Sequence, residues 1–212
     1  MIIGVLLLVV LTAASSPPFA QRVQTAYAQQ NPDSLRALLA QADSQSDSLL
    51  VRYRLYPLTE NAAVLSDIPR RLADGSARDW AVLSGLWSYR AGEASIFSAV
   101  SYGRHSADLL ETAQSHDPDD PYVLLVGGQS LLFRPAIAGK DAAEAAERFA
   151  RLARQAEQGA ADGITVVEAR TWEWLARREA GQTDRARALH GNLRETALPP
   201  LYQQFLDDPP DV

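Results

Sequence analysis

The feature that most constrains this chain is a helical spacing of apolar residues, which continues through most of the sequence after Gln30. The run from Asp141 to Glu157 shows it best, because apolar residues recur there at intervals of three and four. These residues are Ala142, Ala145, Ala146, Phe149, Leu152, Ala153 and Ala156. No stretch shows the sustained alternation that is typical of strands. The pattern therefore predicts an all-α fold.

Start and stop signals divide the chain into helical segments. Asp120 and Pro121, for example, are typical of an N-cap and a first helical position. Helices are predicted over 33–42, 47–56, 62–73, 76–90, 94–115, 119–133, 141–157 and 163–180. Glycine turns, at Gly92, Gly139 and Gly181, separate each helix from its partner. The resulting period of roughly forty residues predicts antiparallel hairpins, which must stack to bury their apolar faces.

Residues within these hairpins resemble the tetratricopeptide repeat. Trp80, Leu83, Ser84 and Trp87 are similar to the first helix of that repeat, and Ser106, Leu110, Ala113 and Pro118 to the second. Gly181 with Ala186, and Ala145 with Phe149 and Leu152, resemble parts of further copies. The repeat spacing exceeds the usual 34 residues. The resemblance implies a short solenoid of stacked hairpins, which we assign to residues 76–206, after an N-terminal helical segment over 29–75 and before a tail over 207–212.

A narrower resemblance lies in the segment from Leu131 to Asp141, where a proline, small residues and a glycine precede an aspartate that opens a helix. This turn is similar to turns of exported tetratricopeptide proteins, including the T components of TRAP-type transporters. The resemblance implies a solute-binding or accessory subunit. Those components are expected to carry a lipid on a cysteine, and this sequence has no cysteine.

The N-terminus resembles a secretory leader. Residues from Met1 to Ala14 are almost wholly apolar, but the run is shorter than the about 20 residues that span a bilayer. We predict a signal peptide over residues 1–28, cleaved after Ala26-Tyr27-Ala28. Pro18-Phe19-Ala20 is a second cleavage-like end, and an uncleaved anchor is the alternative because no basic residue precedes the apolar run. The mature protein is then periplasmic or secreted in a bacterium, with no stable membrane span.

Composition and motifs argue against several functions. A net charge of −6 without a basic patch predicts no binding to nucleic acid. His105, His116 and His190 lack metal-ligand spacing, and the sequence has neither a Gly-x-Ser-x-Gly motif nor a phosphate-binding glycine loop. We therefore predict a protein without catalytic residues, metal or cofactor. A helical hydrolase remains an alternative. Its candidate carboxylates are Glu93, Glu168 and Glu173, the acids that are least readily explained as ordinary surface residues.

The leading functional prediction is an interaction scaffold that binds a protein or peptide on its concave face. Candidate partner-binding residues lie off the main apolar stripes: Tyr89, Arg90, Arg134, Arg170, Glu173 and Arg177. The alternative for each is an ordinary solvated surface position. A pocket for a small molecule between hairpins is the second prediction. The tryptophans Trp80, Trp87, Trp172 and Trp174 fit either helix packing or an aromatic ligand site.

Overall fold

The computed structural model describes residues 16–212, and within that range all regular structure is helical. The predicted all-α class is thus confirmed for the described residues. The ten α-helices are α1 (Phe19–Ala28), α2 (Pro32–Ala40), α3 (Gln45–Thr59), α4 (Ala77–Gly92), α5 (Ile96–His116), α6 (Pro121–Phe133), α7 (Ala142–Glu157), α8 (Val166–Glu179), α9 (Thr183–Arg194) and α10 (Pro200–Asp207). Short 3₁₀ turns lie at Ala62–Leu65 and Ala136–Ala138.

Helix starts follow the local chemistry of the sequence. The Asp120 carboxylate accepts hydrogen bonds from the backbone N–H groups of Tyr122 and Val123, and Pro121 occupies the first helical position of α6. At α4, Ser76 and Asp79 form a reciprocal capping box. These caps satisfy backbone donors that the first turn of a helix leaves unpaired, so α4 and α6 each begin at a defined residue.

Consecutive helices pack in pairs along the chain. The closest pairs include α4 with α5, α6 with α7, and α8 with α9, and α7 also packs against α8. The α4–α5 pair is antiparallel, since Ser84 contacts Ser106 while Trp87, one turn later, contacts Tyr102. Ser84 and Ser106 are small enough to let the helices approach, and each hydroxyl donates to the other residue's carbonyl oxygen at 2.8 Å.

Helices α3 and α4 run in the same direction. Near their starts, the Ser46 hydroxyl donates to the Asp79 carboxylate. At their ends, the Tyr56 hydroxyl donates to Glu93 Oε1 at 2.5 Å. The two helices therefore begin at one side of the molecule and end at the other.

Helices α6 and α8 also run in the same direction as each other. The Tyr122 hydroxyl, at the start of α6, donates to the Gly163 carbonyl oxygen just before α8. Lys140, beyond the end of α6, pairs with Glu179 at the last residue of α8, with 2.6 Å between Nζ and Oε1. Together with α1, α3, α4 and α10, these helices form the set that we name the inner helices. The side of the molecule where they end is named the C-terminal edge.

The two ends of the described chain meet. Helix α10 packs against both α1 and α8. Gln24 of α1 donates from Nε2 to the Tyr202 hydroxyl of α10 at 2.6 Å, and Gln30, just beyond the end of α1, donates to Gln204 further along α10. This contact closes the inner helices around a central space.

The helix predicted over 62–73 is wrong. Only Ala62–Leu65 forms a 3₁₀ turn, and the chain then continues without a helix to Ser76. Pro69 disfavours helical geometry at the residue before it. The carbonyl oxygens of this loop bind side chains instead: Pro69 accepts from the Trp87 indole at 2.9 Å, and Arg70 hydrogen-bonds His105 at 2.8 Å.

Helix α1 lies inside the segment predicted as a signal peptide. Ala20, Val23 and Ala26 are buried in the core, so α1 is packed like the other helices. The apolar run on which that prediction depends, Met1 to Ala14, lies outside the described residues, which begin at Ser16. Among the helices that are described, none is both long and apolar enough to cross a bilayer.

Candidate functional site

The inner helices enclose a cleft of about 870 Å³. Its walls come from the C-terminal halves of α3, α4 and α6, from the middle of α8, and from α10. The lining extends from buried Ser84 to exposed Glu60 and Asp208, so the cleft opens at the C-terminal edge. The volume falls within the range of roughly 300–1,000 Å³ that is usual for small-molecule sites.

One wall of the cleft is a stack of tyrosines. The Tyr89 ring on α4 stacks on Tyr53 and Tyr56 of α3, with centroids 5.6 and 4.8 Å away. The Tyr53 hydroxyl donates to Gln129 Oε1 on α6 at 2.5 Å. This hydrogen bond joins α3 to α6, and the stacking of Tyr89 on Tyr53 adds α4 to the same wall. Tyr89 and Tyr53 therefore present both ring surface and hydrogen-bonding groups to the interior.

The opposite wall is an aromatic cluster around Trp172 of α8. The Phe205 ring of α10 lies edge-on to Trp172 with centroids 4.8 Å apart, and Phe133 of α6 does so at 6.0 Å. Phe149 of α7 stacks behind the indole at 5.8 Å and holds it in place. Trp172 therefore packs between helices and also lines the cleft.

Polar groups complete the lining. Gln30, Gln129 and Gln204 contribute amides. Hydroxyl groups come from Ser84, Ser88, Ser106 and Ser130. Glu60 and Asp208 are the carboxylates, and no arginine or lysine from the described part of the chain belongs to the lining.

Below the cleft, a buried ion pair joins α3 to α8. Arg54 is 2 % exposed and Glu168 is 0 % exposed. The contact is bidentate, with Nη1–Oε1 at 2.5 Å and Nη2–Oε2 at 3.1 Å. Burial disfavours the charged guanidinium, but the Glu168 carboxylate and neighbouring tyrosines outweigh it, so the pKa of Arg54 lies well above its usual value.

Tyrosine rings surround this ion pair and separate it from the cleft. The guanidinium carbon of Arg54 lies 4.8 Å from the Tyr27 centroid, 5.4 Å from Tyr53 and 5.9 Å from Tyr122. Burial raises the pKa of the Tyr27 phenol to about 12, so this ring stays neutral at ordinary pH. Because each charge is matched and covered, the pair acts as a structural link between helices from distant parts of the chain.

The predicted partner-binding residues do not form one site. Tyr89 lines the cleft, whereas Arg90 lies over the Trp87 and Tyr102 rings at 4.9 and 5.4 Å, beside a smaller cavity of about 340 Å³. Arg134 turns back on its own helix and donates from Nε to the Ser130 carbonyl oxygen at 2.9 Å.

The other three candidates form a network on the opposite side of α8. Glu173 accepts from Arg170 at 2.6 Å and from Arg177 at 2.7 Å. Arg170 also binds Glu157, and Arg177 binds Glu147, both on α7. Burial lowers the pKa of Arg170, but the hydrogen bonds that Arg170 donates to Glu157 and Glu173, together with their negative charges, outweigh burial and leave the pKa raised. Their partners lie within the chain, which leaves these residues holding α8 against α7.

The cleft residues Tyr53, Gln129 and Phe205 were not among the sequence candidates. Tyr53 and Gln129 are 76 positions apart, so no local pattern links them. Beyond their aromatic or amide side chains, no local signal in the sequence marks these three residues.

Within residues 16–212, no group of three or more histidine, aspartate and glutamate side chains is arranged to hold a metal ion. The arrangement that remains is a closed ring of helices around an aromatic and amide-lined cleft. Compared with known proteins, the chain matches no family model, no curated protein and no solved structure.

Proposed function

We propose that this chain is a non-catalytic binding protein that holds a small, largely apolar ligand in the central cleft. The observation that carries the proposal is the cleft itself, with a volume of about 870 Å³ and an aromatic lining. Sites of this kind bury most of a ligand's surface against apolar walls and use a few polar groups for orientation. The tyrosine hydroxyls and the glutamine amides are suited to that second role.

The proposal includes a short tetratricopeptide-like solenoid as the scaffold. Support comes from the successive pairs α4–α5, α6–α7 and α8–α9 and from the shared direction of the inner helices. In such a solenoid the first helices of the hairpins line the concave face. We also propose export, on the leader pattern of residues 1–14. A solute-binding role beside a TRAP-type transporter is the narrower form of this proposal.

Filling the cleft tests whether it binds a ligand. Ser88 is exposed, lies on α4 and lines the cleft. Ser88→Trp places an indole in the space without disturbing the core. With the neutral fluorophore Nile red as probe, we expect the wild type to bind one equivalent and the variant to bind roughly tenfold more weakly.

Ser101→Trp is the matched control, because Ser101 is exposed on α5 and does not line the cleft. Its Nile red affinity should equal that of the wild type. Equal affinities for the wild type and Ser88→Trp would place the probe elsewhere and reject the cleft as the binding site.

A protein-binding role is a second candidate, and one observation favours it. Phe97 is 93 % exposed and Ile137 is 100 % exposed, although both are large and apolar. Phe97 follows the α4–α5 connection and Ile137 lies within the α6–α7 connection, so both lie toward the C-terminal edge. Phe97→Ser with Ile137→Ser should abolish recovery of a partner from the native compartment while Nile red binding persists. Unchanged recovery would remove this candidate.

A further inference from the structure

The cleft has an uneven distribution of charge. Glu60 and Asp208 are exposed and contribute carboxylates to its lining, whereas no arginine or lysine of the described residues does so. Arg54 lies behind the tyrosine wall, but its charge is matched by the bidentate contact with Glu168. The opening of the cleft therefore contains negative charge, and the described lining has no positive side chain that balances it.

The helix directions add to this negative potential. Contacts of Ala20, Arg78 and Tyr122 place the starts of α1, α4 and α6 beside residues 162–163, just before α8. Helix α3 runs alongside α4, and α10 alongside α1, so all six inner helices end toward the C-terminal edge, where the cleft opens. The last carbonyl groups of a helix carry a partial negative charge, which favours cations near that end. Glu60 is the C-cap of α3, and Asp208 is the C-cap of α10. Each carboxylate thus lies beside a helix end of the same sign.

The aromatic walls suit a cation that also has apolar surface. Tyr89, Phe133, Trp172 and Phe205 all line the cleft. The faces of such rings attract ammonium and guanidinium groups, and the attraction grows when water is excluded. An inorganic cation would gain little from these rings, and an anion would meet only negative charge. An organic ammonium ion with an apolar body satisfies both the carboxylates and the rings.

The backbone fixes two polar residues at the opening. Gln30 and Glu60 have φ angles of 51° and 47°, and they are the only non-glycine residues in the described range with positive φ. Both line the cleft. A strained backbone of this kind persists only when the surrounding structure holds it, which keeps the Glu60 carboxylate at the opening.

We infer that the cleft selects organic cations, binding an ammonium head near Glu60 and Asp208 and an apolar body against the aromatic walls. This inference rests on the proposed ligand-binding function and names its ligand class.

Three probes with the same alkyl chain test the selection: octyltrimethylammonium, octanol and octanoate. Calorimetric titration of the full chain should show octyltrimethylammonium binding about tenfold more tightly than octanol, because carboxylates and rings both contribute. Octanoate should bind more weakly than octanol. In the double variant Glu60→Gln with Asp208→Asn, the cation should bind no better than octanol, while octanol affinity stays unchanged.

The control variant Glu111→Gln with Glu195→Gln removes the same number of charges from exposed positions outside the cleft. It should retain the wild-type preference, which separates a local effect from net charge. Equal binding of the three probes, or equal loss of preference in both double variants, would overturn the inference and leave the ligand-binding function standing. Failure of Nile red and of every alkyl probe to bind would instead reject the proposed function.

Discussion

Arg54 and Glu168 lie 114 positions apart in the sequence, yet they form the most buried contact between charged groups in the described chain. A buried ion pair loses hydration on both partners, and only good geometry and further contacts offset that loss. Here the geometry is bidentate, and tyrosine faces cover the guanidinium. Helical periodicity cannot reveal this pair, because a charged residue on a helix normally indicates a solvated face.

The pair should behave as a single unit in mutagenesis. Arg54→Met leaves a buried, unpaired carboxylate and should lower the free energy of unfolding by about 3–5 kcal/mol. Arg54→Met combined with Glu168→Leu removes both charges and should cost less than the single change. Urea unfolding followed by circular dichroism measures both values.

Arg187→Met serves as a comparison, since Arg187 pairs with Asp184 on the surface at 3.1 Å. An exposed ion pair contributes about 0–1 kcal/mol, so this change should leave the free energy of unfolding nearly unchanged. If the double variant at Arg54 and Glu168 were destabilised by the sum of its single changes, the coupling described here would be wrong.

At the scale of helices, the spans predicted from the sequence include α2 to α8 but not α1, α9 or α10. The predicted spans 76–90, 119–133 and 141–157 correspond to α4, α6 and α7 within a few residues. Caps and apolar spacing are local signals, so a single sequence reveals them. The wrong helix over 62–73 fails for a local reason, the proline at position 69, and for a non-local one, because carbonyl groups of this loop bind side chains of α4 and α5.

The candidate site was less predictable than the helices. Tyr89 was identified, but the other predicted residues contact their own helix or a neighbour. The cleft exists because α10 returns to α1, and this closure depends on contacts such as Gln24 with Tyr202, 178 positions apart. Sequence patterns within one helix contain no information about such a closure.

Helix α1 is expected to be necessary for the stability of the fold. Its side chains Val23 and Tyr27 are buried, and each large apolar side chain that is fully buried contributes roughly 1.5–3 kcal/mol. A chain that begins at Pro18 should unfold like the full described domain. One that begins at Gln29 lacks α1 and should lose more than about 3 kcal/mol of stability or fail to unfold cooperatively.

The same packing bears on the proposed export, because a leader removed after Ala28 would take α1 with it. We expect N-terminal sequencing of the mature protein to place its first residue at or before Gln21, which agrees with the cleavage-like end Pro18-Phe19-Ala20. A mature protein that starts at Gln29 and is as stable as the longer chain would show that α1 is dispensable.

At the scale of the whole molecule, the ring of inner helices has one short closing element. Helix α10 has eight residues and packs against α1 and α8. Its residues Tyr202 and Leu206 are buried, while Gln204 and Phe205 line the cleft. Terminal elements with few neighbours open at low free energy, so α10 is the expected route for a ligand to enter.

Amide hydrogen exchange tests this route. Exchange in α10 should be faster than in α4, and a bound ligand should slow exchange in α10 more than elsewhere.

Leu206→Ala removes a buried side chain that anchors α10 and should lower stability by about 2–5 kcal/mol, mainly as local opening of α10. Leu193→Ala, on α9 and equally buried, should not open α10 selectively. The ligand should then dissociate faster from Leu206→Ala than from Leu193→Ala. Equal dissociation from both variants would mean that the ligand leaves the cleft without α10 moving.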